Sequence, residues 1–247
     1  MYIDPNHGLR SEKGYSAEAG LRQLFAQGHW VGYLDVAAFQ SQYENMMEFV
    51  FAAWGKGSDP LGGLGFSSVN VGRTKIRGVD VSLFAQGNIA GDLKASLMLG
   101  YTYLDPKQTT YDSAYVAKAG YGQVRGSDST DFLKYRFRHM GKADLEFSFR
   151  KFSFGSSLRY NSKMENIDFI FVTTLFDAIS PPGLGIKHYR QQHDHGDLLL
   201  DVRAGWQVNT TLRATFIVKN LTNYIYMQRP ADMQPPRTFV FQLALTL

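Results

Sequence analysis

Residues 92–104 read DLKASLMLGYTYL. Leu93, Ala95, Leu97, Leu99, Tyr101 and Tyr103 alternate there with Lys94, Ser96, Met98, Gly100 and Thr102. A period of two puts the first set on one face of a β-strand and the second on the other. The stretch 142–160, KADLEFSFRKFSFGSSLRY, repeats the pattern on both sides of a tight turn at Arg150 and Lys151. Ala143, Leu145, Phe147 and Phe149 oppose Lys142, Asp144, Glu146 and Ser148; then Phe152, Phe154, Leu158 and Tyr160 oppose Ser153, Ser157 and Arg159. Full charges at mid-strand need water, so the polar face lines a wet lumen or a solvated sheet surface.

Working outward, the same alternation predicts about nine strands, near residues 14–26, 30–42, 68–86, 92–104, 142–149, 152–160, 200–207, 212–219 and 239–247. Short turns follow the first, third, fifth and seventh. Long polar segments follow the others: a Gly-rich interruption at 46–66, a loop rich in Tyr, Ser, Asp and Gly after Leu104, and the longest break at 161–194. Outer-membrane barrels alternate short periplasmic turns with long extracellular loops, and a soluble sandwich has no reason to. Several predicted strands also exceed the ~5–6 residues usual in soluble proteins and reach the ~9–11 of a tilted membrane crossing. The expectation is an all-β, antiparallel, up-and-down transmembrane barrel segment. With short turns periplasmic, Leu247 ends on the periplasmic side and residues 1–13 belong to an extracellular loop. An odd number of strands beginning outside the cell implies missing strands, because bacterial barrels have even numbers.

Composition agrees. The chain has 247 residues, is 44% hydrophobic and carries 14% aromatic residues. Its mean hydropathy is −0.24, and no run approaches the ~18 apolar residues of a membrane helix. Cysteine is absent, which removes disulfides, thiolate metal sites and thiol nucleophiles. A net charge of +4 without a Lys/Arg-rich run gives no sign of nucleic acid. The opening MYIDPNHGLRSEKG has neither the apolar core nor the small-residue cleavage site of a signal peptide. A barrel requires one, so a piece of a longer chain is expected.

Four segments are familiar together. FIVKNLTNYIYMQRPADMQPPRTFVFQLALTL resembles the end of a TonB-dependent receptor: Asn220, Leu221, Thr222 and Asn223 match its Asn-Leu-x-Asn signature, and Pro236, Arg237, Thr238 and Phe239 match the entry to its final strand. DPNHGLRSEKGYSAEAGLRQ resembles an Asn-Pro-x-Leu…Glu-x-Gly element, with Asp4 where Asn is commoner. VNVGRTKIRGVDVSL resembles an Asn-x-Gly…Gly-Val-Asp strand through Asn70, Gly72, Gly78, Val79 and Asp80. The wording of YRFRHMGKADLEF and RYNSKMENIDFIF is similar to receptors of Bacteroidetes-type bacteria. One departure is Leu247 where such chains usually end on Phe or Trp. The resemblance covers essentially the whole chain and implies the C-terminal portion of a 22-stranded, plugged barrel in the outer membrane of a Gram-negative bacterium. It implies uptake of a siderophore, oligosaccharide or similar nutrient, driven by the TonB complex. The plug, the signal peptide and the other strands are then partners outside these residues, together with outer-membrane lipid and a small-molecule or glycan substrate. The alternative is a non-transporting outer-membrane binding protein or small barrel, which calls for a signal peptide and an even strand count. A soluble β-protein is a third reading.

Candidate residues divide accordingly. Asp144, Glu146, Asp201, Arg203, Arg213 and Lys219 are expected on the lumen wall, more as a salt-bridged network than as a substrate path. Trp30, Tyr101, Tyr103, Tyr160 and Trp206 are expected near the two membrane interfaces. Tyr111, Tyr115, Tyr121 and Tyr135 could stack on a ligand or pack loops together. His188, His193 and His195 beside Asp194 suggest a metal site, against the more ordinary reading of a polar loop. No Gly-x-Ser-x-Gly occurs, and the Gly-rich run 61–65 lacks the Gly-Lys-Ser/Thr ending of a phosphate loop. Neither a catalytic residue nor a cofactor is expected, and the substrate-binding residues are not legible.

Overall fold

A computed structural model describes residues 2–55, 58, 60–127, 130–173 and 185–246. The elements are β1 (Tyr2–Asp4), β2 (Lys13–Gln27), β3 (Trp30–Ala53), β4 (Leu64–Ala90), β5 (Leu93–Tyr111), α1 (Ser113–Ala119), α2 (Tyr121–Arg125), β6 (His139–Phe149), β7 (Phe152–Asn161), α3 (Ile186–Gln192), β8 (Asp197–Gln207), β9 (Leu212–Lys219) and β10 (Thr238–Leu245). Strands β2 to β10 form one antiparallel sheet in sequence order. This is the up-and-down run of nine that the alternation predicted. A tenth strand, β1, pairs in parallel with β4 at Gly65, Phe66 and Ser67, so residues 1–13 are not loop throughout. The pairing has a simple cause. β4 outruns β5, whose partners begin at Gly72, and β1 covers the edge left open beyond it.

The short turns are 28–29, 91–92, 150–151 and 208–211, and the long connections are 54–63, 112–138, 162–196 and 220–237. Arg150 takes φ +52° in its two-residue turn, a left-handed conformation such hairpins demand. Asn209 Oδ1 accepts from the amides of Thr211 and Leu212, which closes the turn without glycine.

The register assigns each residue to a face. Leu21, Val36, Val81, Tyr101, Gly141, Tyr160 and Leu198 form one continuous cross-strand row. Toward the short turns the same face carries Leu93, Phe149, Phe152, Trp206, Ala214 and Leu243. Large exposed hydrophobics concentrate here, among them Leu21 at 72% and Phe241 at 67%. From Leu93 to Tyr103 the band rises by ten strand steps, or about 25 Å after tilt, the height of a bilayer's apolar core. Trp30 and Trp206 lie at its short-turn end, and Tyr101, Tyr103 and Tyr160 at its long-loop end. The opposite face carries the charges. No helix among the described residues is long and apolar enough to cross a membrane, which says nothing against strands.

Two expectations need correcting. The Gly-rich interruption at 46–66 is mostly strand, because β3 runs to Ala53 and β4 starts at Leu64. The loop expected after Leu104 begins only after Tyr111 and then forms α1 and α2. In both cases the arms pass beyond the apolar band, buried on the inner face and covered only in part on the outer one, where Met47 and Phe49 stay exposed. One side holds Met46, Val50, Val69, Val71, Tyr115, Val124 and Leu133. Ile167, Ile170, Phe171 and Ile186 pack around Phe51 and Leu64 on the other. Apolar residues on both faces of the β3 arm, Met46 and Val50 on one and Met47 and Phe49 on the other, remove the alternation by which strands are read. Leu247, read as the periplasmic terminus, lies outside the described residues, as do 174–184 of the longest break.

The absence of cysteine makes single-cysteine variants clean probes of the faces. In protein reconstituted into bilayers, Ser96→Cys and Ser157→Cys should react with a water-soluble maleimide, whereas Leu97→Cys and Leu145→Cys should stay protected. Equal labelling of the two sets would mean that the apolar face does not meet lipid.

Candidate functional site

On the polar face, three strands are tied by one guanidinium. Glu146, Gly155 and Arg203 are direct cross-strand partners on β6, β7 and β8. Arg203 lies flat over Gly155, where an added Cβ would stand 2.6 Å from its Cζ. That space lets Arg203 reach across β7. It grips Asp144 with both Nη atoms at 2.7 and 2.8 Å, and Nε donates to Glu146 Oε2 at 2.9 Å. Ser157 donates to Asp144 from the strand between. Arg213 donates to Ser153 Oγ at 2.8 Å and stands 3.9 Å from Glu146. Asp201 pairs with Arg159 at 3.3 Å and accepts the Asn220 amide at 2.7 Å. Of the six charges expected on one wall, Asp144, Glu146, Arg203 and Arg213 therefore meet in one connected network, and Asp201 stands in a separate pair with Arg159. Lys219 is exposed at the end of β9 and makes no ion pair among the described residues.

The signature residues build turns and close packing. Asn220 has φ +51°, its Nδ2 donates to the Tyr224 carbonyl at 2.8 Å, and its Oδ1 accepts the Tyr224 amide at 2.8 Å. The Leu221 amide donates to the Leu200 carbonyl. Asn223 Oδ1 accepts the amide of Arg237, which follows Pro236 and aims the chain into β10, where Phe239 stacks on Phe216. Gly72 sits in a bulge at φ +121°. Gly78 faces the Phe39 ring with no room for a Cβ, and Asp80 accepts from Thr102 Oγ1.

At the long-loop rim a second cluster joins three connections. Asp168 is fully buried and Lys134 is 4% exposed; their ion pair measures 3.0 Å. Asp168 Oδ2 accepts the Phe51 amide at 2.7 Å and the Tyr135 hydroxyl at 2.5 Å. Lys134 Nζ also donates to the Gln123 carbonyl of α2. Asn166 Nδ2 donates to the carbonyls of Arg125 and Phe132. Burial pushes the Tyr135 hydroxyl up, reinforced by the Asp168 charge. Beside them Glu48, on the part of β3 beyond the apolar band, has its pKa raised from 4.5 to about 6 by burial, against the pull of Arg136 and Lys134. Arg136 Nη2 stands 3.9 Å from it.

These groups wall a pocket of about 290 Å³ whose lining includes Glu48, Phe49, Phe66, Tyr135, Arg136, Phe171 and Arg229. The Phe49 and Phe66 rings stack at 4.8 Å. The volume suits a small ligand or one part of a larger one. Of these lining residues, Tyr135 alone is among the loop tyrosines that could stack on a ligand. The other loop tyrosines divide: Tyr115 is 4% exposed and Tyr111 bonds Asp131, while Tyr121 meets Tyr111 edge-on and stays exposed. The histidines diverge. His193 stacks on Tyr189 at 4.0 Å, His188 contacts Gln192, and His195 is exposed beside Asp194. Among the described residues no group of three His, Asp or Glu side chains could hold a metal.

The model of the TonB dependent receptor-like β-barrel matches residues 1–221. The chain belongs to that family. It therefore resides in the outer membrane of Gram-negative bacteria. Curated protein sequences give no significant match. Among solved structures the fold is similar to the ferric-catecholate import receptor Fiu of Escherichia coli K12 in its closed form, with TM-score 0.58, 17% identity, and coverage of 97% of this chain and 28% of that one. The copper transporter OprC gives 0.59 at 14% identity, covering 97% and 32%. BauA, the ferric preacinetobactin receptor of Acinetobacter baumannii, gives 0.55 at 19%, covering 98% and 32%. The chain thus spans about a third of these receptors' length.

Two predictions concern the rim. Asp168→Asn leaves Lys134 buried without its partner and should cost about 3–5 kcal/mol locally. Hydrogen exchange should accelerate at the Phe51 amide and leave β6–β8 unchanged. Exchange that stays slow at Phe51 would mean the ion pair does not hold the rim. For Glu48 the folded pKa is the higher one, so the charged form opposes folding. Stability should fall as pH rises from about 4.5 to about 6 and then level off, by up to ~2 kcal/mol. Glu48→Gln should therefore raise Tm at pH 7.5 and leave it unchanged at pH 4.

Proposed function

We propose that these residues are the C-terminal portion of the barrel of a receptor that takes up a nutrient across the outer membrane with energy from the TonB complex. On this reading β2 and β10 pair with further strands of a 22-stranded barrel. The polar face with Arg203 at its centre is the lumen wall, the short turns are periplasmic, and the long connections face the outside. A plug domain, the TonB complex and a small-molecule or glycan substrate are the partners the reading requires. The observation that carries it is the rim pocket. Two guanidinium groups, Arg136 and Arg229, sit with stacked phenyl rings at the long-loop end, where a ligand from outside arrives first.

The rim accounts for two further features. The segments similar to Bacteroidetes-type receptors, 135–147 and 159–171, include Tyr135, Arg136, Asn166 and Asp168; we read them as wording that conserves rim geometry in such a lineage. Charge and rings together suit an anionic aromatic chelate such as a siderophore, and rings alone suit a glycan. On this reading the protein is a receptor rather than an enzyme, in keeping with its receptor-barrel family.

The test is uptake by cells carrying the full-length receptor, offered a panel of iron-55 siderophore complexes and labelled oligosaccharides. One class should accumulate, and accumulation should stop when a proton ionophore collapses the energy source. Arg136→Ala with Arg229→Ala should weaken binding of that ligand by about tenfold or more without loss of receptor from the membrane. Undiminished binding would take the pocket out of the ligand path. Accumulation that ignores the ionophore would reject active transport.

A further inference from the structure

The face that carries the apolar band changes character just above it. On β4, Arg77, Lys75 and Arg73 follow Val79 at alternate positions, so all three project from the band's face, spaced by about 6.6 Å. Lys107 of β5 is the direct cross-strand partner of Lys75. Like charges placed directly opposite destabilise a sheet. Some of these cations have partners: Arg73 stands 3.5 Å from Glu44, Lys107 stands 4.0 Å from Asp105 and donates to the Thr130 carbonyl, and Arg77 Nε donates to Gln40 Oε1. Lys75 has no ion pair or side-chain hydrogen bond among the described residues. The inner face at this height is different. Thr74 is fully buried and Ile76 packs against the rim core, so the basic row belongs to the outward surface alone. Above the row, residues 10–12 cross β3 and β4. Arg10 and Asn70 bond each other, and the Met47 amide donates to Glu12.

Directly below the row on the same face lies a groove of about 600 Å³. Val81, Leu83, Leu99, Tyr101, Leu158 and Tyr160 line it with almost entirely apolar surface. Gly141 forms its floor between Tyr101 and Tyr160 in the cross-strand row, where an added Cβ would meet only Tyr160 Cβ at 3.9 Å. Cations above a chain-sized apolar groove match a molecule that is anionic at one end and hydrocarbon at the other. A free anion would use only the upper half.

We propose that this outward face binds one phosphorylated lipid of the surrounding leaflet, with its headgroup phosphate on Arg73, Lys75 and Arg77 and an acyl chain in the groove over Gly141. The phosphate relieves the Lys75–Lys107 repulsion and fixes the height of the barrel at the headgroup level. This site is separate from the rim pocket and independent of what the receptor transports.

Native mass spectrometry of the full chain in mixed micelles tests it, with phosphatidic acid as probe and phosphatidylcholine as zwitterionic control. Wild type should retain one phosphatidic acid selectively. Lys75→Gln with Arg77→Gln should weaken that retention about thirtyfold and leave phosphatidylcholine unaffected. Gly141→Leu, which fills the groove and spares the cations, should weaken long-chain phosphatidic acid and not a short-chain form. A Lys151→Gln variant at the opposite rim should bind as wild type, which controls for net charge. Equal retention of the two lipids, or unchanged retention in Lys75→Gln with Arg77→Gln, would overturn the proposal. Displacement of the lipid by an equal concentration of inorganic phosphate would also overturn it, by making the row a free-anion site.

Discussion

A strand that crosses hydrocarbon must satisfy its backbone in its neighbours and present only apolar side chains to lipid. Everything else in this sheet depends on that constraint. Because the side-chain period is two, slipping β6 by one residue would turn Asp144 and Glu146 into the bilayer and bring Leu145 to the wet side, and slipping β8 would do the same with Arg203 and Val202. A single Arg or Lys near the bilayer midplane costs about 2–4 kcal/mol, so a slip that moves several charges is excluded. The register is fixed twice. Lipid penalises the wrong face, and the Arg203 clamp over Gly155 rewards the right one by tying β6 to β8 across β7.

Beyond the band the constraint lapses, and the strands behave differently. The β3–β4 arm is no longer divided into a wet and a greasy side; it is sandwiched between α1–α2 and the 162–173 segment. There the polar cost is the buried backbone itself. Asp168 meets it by accepting the Phe51 amide, and its charge is balanced by Lys134. The two sites are therefore opposites in electrostatic kind. The polar face of the sheet holds half-exposed charges in a wet network, where each contact is worth little and the number of contacts matters. The rim holds one dry pair whose loss leaves an uncompensated charge.

That contrast explains what was legible in the sequence. Strands β6 to β9, and β5 as far as Leu104, could be read to within a few residues because their two faces meet different solvents, and Leu93 to Tyr103 or Leu212 to Val218 record the difference residue by residue. The wall charges were legible for the same reason: Asp144 and Arg203 interrupt no apolar run. The rim was hidden. MMEFVFAA at 46–53 alternates nothing, since Val50 packs on one side and Phe51 on the other. Asp168 and Lys134 are far apart in sequence and look like ordinary loop charges. Residues 2–4 pair in parallel with β4 only because β4 outruns β5, a mismatch of lengths that no local pattern records.

The motifs quoted for the family resemblance reinforce this division. Asn220 and Asn223 spend their side chains on the Tyr224 backbone and the Arg237 amide, Gly78 yields its space to Phe39, and Asp80 holds Thr102 across the strand pair. Each secures a turn or a cross-strand contact, and none lines the rim pocket. Residues that specify how the sheet closes its turns must recur wherever the barrel recurs, whatever is carried through it. The pocket instead brings together Phe49 and Phe66 from the ends of β3 and β4 with Arg136, Phe171 and Arg229 from three separate connections. A family signature can thus be strong while the ligand stays unread, because fold and recognition are written in different residues and held by different physics.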